Sequence, residues 1–132
     1  MEQERQTLCR RLADANASLG FLLILIAAIL LSFYAASVER RRLCLALAGE
    51  EARAAALPDV LPLRWRGSAM VVGALGFFLC LALKNCRQAA AGTDAAARRS
   101  AEANLWATVL VRSAALVRLE DLRALLVRSA DG

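Results

Sequence analysis

The sequence predicts an all-α integral membrane protein: a hairpin of two transmembrane helices, followed by a third, marginally hydrophobic helix that either spans the bilayer or lies at its interface. Three observations carry this expectation. Apolar residues make up 59% of the 132-residue chain and are gathered in blocks, a share and a clustering beyond those of ordinary soluble domains. Two of those blocks, residues 19–38 and 67–83, contain no charged side chain. No segment shows the strict apolar/polar alternation of a half-buried strand.

Taken in order, residues 1–18 form a polar N-terminal tail with Arg5, Arg10 and Arg11 set among Glu2, Glu4 and Asp14. The first block, residues 19–38, reads LGFLLILIAAILLSFYAASV. Twenty helical residues at about 1.5 Å each cover about 30 Å, the thickness of a hydrocarbon core. Its Leu, Ile, Phe and Val residues contribute roughly 0.3 to 0.6 kcal/mol each, a total of about 5 kcal/mol in favour of insertion. Helix is the only conformation open to this backbone, because an unpaired amide or carbonyl in lipid costs several kcal/mol. A cleaved signal peptide is the competing reading, since Ala35-Ala36-Ser37 resembles a small-residue cleavage site. The acidic residues of the leader and a block longer than the roughly 7 to 15 residues of a signal h-region count against it.

Residues 39–57 contain helix formers and no proline, so they are expected to extend the first helix beyond the bilayer, with Gly49 as the weak point. Residues 58–66 are expected to form a turn containing Pro58 and Pro62, since proline removes an amide donor and restricts the residue before it. The second span covers residues 67–84 and ends on Lys84. It is short for a span but flanked by Arg64, Trp65 and Arg66, which are suited to headgroup depth. Gly92 is then a suitable left-handed helix stop, and Thr93 or Asp94 can cap a third helix over residues 95–128.

Within that third helix, residues 104–119 (NLWATVLVRSAALVRL) balance near zero. Leu and Val residues favour insertion by roughly 3 kcal/mol, and Arg112 opposes it by about 2.5 to 3.5 kcal/mol. Trp106 reads as a further interface anchor and Arg118 is close enough to an end to snorkel. An intramembrane cation is by default a functional suspect. Arg112, with no acid or amide opposite it in either span, has the plainer reading of a helix packed on its neighbours or lying at the interface.

Charge placement excludes some functions. The net charge of +5 arises almost entirely from arginine, and Arg40, Arg41, Arg42, Arg64, Arg66 and Lys84 flank the apolar blocks. That pattern suits lipid headgroups, not nucleic acid. The loop 39–66 holds six arginines against seven Arg and Lys at the two membrane-proximal ends of a hairpin, so positive-charge counting permits either orientation or both. The dominance of Arg over Lys, with abundant Ala, points to a GC-rich genome and hence to the plasma membrane of a prokaryote.

No enzyme is expected. The chain has no histidine, no carboxylate pair at membrane depth and no phosphate- or dinucleotide-binding glycine pattern, and neither a cofactor nor a metal is implied. Ala28, Ser32 and Ala36 recur every four residues on the first span, and Ala69 and Gly73 do so on the second. Small residues at that spacing let lipid-embedded helices approach closely. The expected role is therefore a small accessory or interaction protein packing through its helices. Its partners would be the lipid bilayer and either a second copy or another membrane protein. The alternative is an oligomeric transporter or channel subunit using Arg112.

Overall fold

In the computed structural model, which describes all 132 residues, every regular element is a helix: α1 (Glu2–Leu47), α2 (Glu51–Ala55), α3 (Leu61–Ala91) and α4 (Ala95–Ala130). α1 absorbs the polar tail, the first apolar block and the start of the segment after it into one helix of 46 residues, about 70 Å long. Its termination corrects the expected extension to residue 57. Gly49 adopts φ +77°, the left-handed conformation that costs glycine nothing. Around it Gly49 N donates to Ala46 O at 3.0 Å and Glu50 N to Leu45 O at 2.9 Å. These two bonds are the Schellman closure of a helix C-terminus. The single turn of α2 follows, held by an Arg53–Glu50 ion pair of 2.7 Å.

The proline turn is shorter than residues 58–66. Pro62 lies in the first turn of α3, where its missing N–H would have had no intrahelical partner. Asp59 Oδ1 accepts from Leu61 N at 3.0 Å, fixing the entry to the helix. Arg64, Trp65 and Arg66 are consequently helical. At the far end Gly92 is extended (φ −89°, ψ 172°) and not left-handed. Asp94 decides that reversal: its carboxylate accepts from Ala96 N at 2.9 Å and Ala97 N at 3.3 Å, satisfying the first free amides of α4.

Packing places α3 in the middle. α1 and α4 each lie along it, and no Cα of α1 comes within 8 Å of one in α4. The α1–α3 hairpin is antiparallel and in register over its whole length. Asp14 pairs with Lys84, Phe21 stacks on Phe77 at 4.1 Å between centroids, and Gly67 meets Ala28 and Ser32. At the loop end Arg42 donates to Pro58 O at 3.0 Å and to Glu39 Oε2 at 3.1 Å, and Ala35, Val38 and Val60 form a small apolar cluster. α4 runs back along α3, with Arg112 beside Gly76 and Arg118 lining the same cavity as Arg64 and Gly67.

The result is an open layer of three long helices with very little interior. Nine of the 132 residues are buried, and none of the large side chains is fully enclosed. α1 and α3 are both long and apolar enough to cross a membrane, and only 11% of the most apolar window of each is buried. A core helix of a water-soluble domain hides its apolar stripe against neighbours. Here Leu19, Leu22, Leu23, Ile26, Ile29, Leu30 and Phe33 face outward.

Candidate functional site: a helix-packing seam and a basic groove

Beside Val38, Val60 and Leu122, the residues buried between helices are small ones. On α1 these are Ala28 and Ala35, and on α3 they are Gly67, Ala74 and Ala82. Ala28 to Ala35 and Gly67 to Ala74 are seven residues apart, the repeat that keeps one seam facing a partner along two supercoiled helices. A Cβ built on Gly67 would lie 3.6 Å from Ala28 O, 3.7 Å from Ser32 Oγ and 3.8 Å from Leu31 Cβ. The Ser32 hydroxyl donates to Ala28 O at 3.0 Å and so stays within its own helix.

Of the packing residues expected from four-residue spacing, Ala28 and Ser32 lie at this seam. Ala36 is exposed, Ala69 is half-buried, and Gly73 is exposed with nothing within 4 Å of where its Cβ would be. Ala35, Gly67, Ala74 and Ala82 are buried without having been singled out. Reading the small residues in sevens would have found the first three.

Arg112 has a definite place. Its guanidinium lies over Gly76, with Nη2 at 3.5 Å and Nε at 3.6 Å from the position a Cβ would take. Gly76 sits at the middle of the 67–83 apolar block. The missing side chain makes the room, and no acid or carbonyl meets the Arg112 Nε, which is buried without a hydrogen-bond partner. The Trp65 indole N–H is likewise buried and unpartnered. An unmade hydrogen bond on a buried donor costs about 1–3 kcal/mol.

The expected anchors separate into different tasks. Arg42 staples the loop, and Lys84 closes the opposite end of the hairpin against Asp14. Arg41, Arg66 and Trp106 point outward, unpaired. Arg40 and Arg64 do something the sequence did not suggest. With Arg118 of α4 they line one cavity of about 760 Å³ lying on α3 between the flanking helices. The lining also includes small and apolar residues, among them Ala36, Val71 and Ala115. The four cysteines, Cys9, Cys44, Cys80 and Cys86, are all free.

No protein-family model, curated protein or solved structure matches the chain.

Proposed function

We propose that this chain is a multi-pass membrane protein acting as a small accessory or interaction subunit that docks through a helix face. The observation that carries the membrane reading is the outward apolar surface of α1. Burying a Leu, Ile or Phe side chain is worth about 1.5–3 kcal/mol. Leaving the eight exposed large apolar residues from Leu19 to Phe33 in water would forfeit on the order of 15 kcal/mol, as much as the whole net stability of a domain. Lipid removes that penalty. Purified protein is expected to need detergent to stay monodisperse and to resist alkaline carbonate extraction from membranes. Solubility in plain buffer would overturn the reading.

Support for a third crossing comes from the antiparallel run of α4 beside α3. Residues 104–119 lie level with the 67–83 block because Arg112 meets Gly76, and Arg118 lines the same cavity as Arg64 and Gly67. Packing against α3 offsets what Arg112 costs. Three crossings add Arg118, Arg123 and Arg128 to the side that already holds Arg40, Arg41 and Arg42, which tips the otherwise even arginine balance toward a cytoplasmic loop. With Cys80 and Cys86 replaced by alanine, Cys9 is expected to react with an impermeant thiol reagent from outside only, and Cys44 from inside only. Reaction of each from both sides would instead establish dual insertion.

The interaction role rests on Gly73. α1 and α4 occupy two sides of α3, while Gly73 opens onto space on a remaining one, with half-buried Ala69 one turn away. A notch of this kind admits a close helix from a second copy or another membrane protein. Gly73→Leu is expected to abolish in-membrane crosslinking from that face while leaving the hairpin folded. An unchanged crosslink pattern would remove the basis for this role. Arg112 favours one second reading, a transporter or channel subunit, because it is a cation with an unsatisfied donor at mid-height of an apolar block. That reading requires Arg112→Ala to abolish a substrate-dependent flux without loss of insertion.

A further inference from the structure

The groove between α1 and α4 combines two features that the packing seam does not explain. Three arginines line it, Arg40, Arg64 and Arg118, and none takes part in any of the ion pairs of the structure. The one acid in its lining, Glu39, is engaged by Arg42 at 3.1 Å. The groove therefore carries uncompensated positive charge. Its volume of about 760 Å³ falls within the roughly 300–1,000 Å³ of small-molecule sites.

Arg40 and Arg64 stand just outside the two uncharged runs. Arg40 lies two residues past Val38, the end of the uncharged run of α1, and Arg64 lies three residues before Gly67, the start of that of α3. On one side of these cations the lining includes Ala36, Val71 and Ala115, and on the loop side Leu43, Leu47 and Val60, in a gap where no Cα of α1 comes within 8 Å of one in α4. Cations set in a cleft of otherwise largely apolar lining match an amphiphile with an anionic head and a hydrocarbon tail. Arginine is suited to the head because its planar fork can bond two phosphate oxygens at once.

We propose that this groove binds one anionic phospholipid, with its phosphate held by Arg40, Arg64 and Arg118 and an acyl chain lying along Val71 and Ala115. The proposal rests on the reading that the chain crosses a bilayer. Basic pockets between transmembrane helices hold acidic lipid headgroups on the same physical grounds. Each arginine near an anionic headgroup is worth about fivefold in affinity, so three together give on the order of a hundredfold.

Native mass spectrometry of the full chain in a neutral detergent tests this, with dioleoyl phosphatidylglycerol and dioleoyl phosphatidylcholine offered at equal concentration and glycerol phosphate as the tailless anion. The wild type is expected to retain one phosphatidylglycerol in strong preference to phosphatidylcholine. The combined variant Arg40→Gln, Arg64→Gln, Arg118→Gln should lose that preference. A control with the same charge removed at the far end, Arg5→Gln, Arg10→Gln, Arg87→Gln, should keep it. Val71→Trp, which obstructs the cleft and spares the arginines, should also release the lipid, and circular dichroism checks that each variant remains helical. Equal retention by the wild type and the groove variant, or equal loss in the control, would reduce the effect to general surface charge and overturn the site. Binding of glycerol phosphate as tight as that of the lipid would overturn the tail assignment. A lipid-free dimer that the groove variant dissociates would show that a second copy occupies the groove. A wild-type chain monodisperse without detergent would defeat the membrane reading itself, and is recognised before any lipid is added.

Discussion

Gly67→Leu is expected to destabilise the α1–α3 hairpin by roughly 1–3 kcal/mol, the usual range for overpacking a closed contact, while Gly67→Ala is expected to be tolerated. The distinction follows from distance. A Cβ at Gly67 would rest 3.6 Å from the Ala28 carbonyl and 3.8 Å from Leu31 Cβ, which are ordinary contacts, so alanine fits. Alanine also gains about 1 kcal/mol of helix propensity over glycine. The remaining atoms of leucine must either push against Ala28, Leu31 and Ser32 of α1 or turn into the neighbouring cavity, and on the proposed membrane placement the close approach of the helices is what holds them together. Unfolding in mixed micelles with rising dodecyl sulfate gives the measure: the leucine variant should unfold at a lower detergent fraction than the wild type and the alanine variant should not. Matching curves for all three would mean that the helices do not meet at Gly67.

Gly76→Leu is expected to drive α4 off α3, and Arg112→Leu in the same chain is expected to restore it. The segment 104–119 has an insertion free energy near zero by composition, so its position depends on packing. A leucine at 76 would occupy the space in which the Arg112 guanidinium lies, 3.5 Å beyond the Cβ position. Losing that space costs about 1–3 kcal/mol, enough to shift an evenly balanced segment by roughly tenfold or more toward the surface. Replacing Arg112 by leucine works in the opposite direction by about 3–4 kcal/mol. The measurement is the sidedness of a cysteine introduced at Ser129, an exposed position near the end of α4, in a chain freed of its native cysteines. Rescue requires the two changes to be coupled, as contacting residues are. Strictly additive effects would place Arg112 away from Gly76 and leave α4 independent of α3.

The legible part of this protein was one-dimensional. Two uncharged runs of Leu, Ile, Val, Phe and Ala fix two helices long and apolar enough to cross a membrane, because length and hydropathy are properties of a segment alone. The all-helical architecture, the loop between the helices near Pro58 and the Asp94 cap follow from residues acting on neighbours one to four positions away. Gly49 and Gly92 show the limit of that local reasoning. Both are glycines following a helix, and only Gly49 took the left-handed turn, since the Asp94 cap three residues further on drew the chain after Ala91 into an extended path.

What only the tertiary structure decided concerns which side of each helix meets another. Ala28, Ser32 and Ala36 are equivalent by spacing, yet only the first two meet Gly67 while Ala36 lines the cavity toward α4, because the contact repeats every seven residues and not every four. Arg112 has no partner readable in sequence, and it found a space that only the absence of a side chain at Gly76 provides. Arg40, Arg64 and Arg118 stand 24 and 54 positions apart along the chain, and they share one groove because α3 lies antiparallel to both of its neighbours. Hydropathy sums over residues and ignores direction, whereas packing depends on the angle at which each side chain leaves its helix and on what stands opposite.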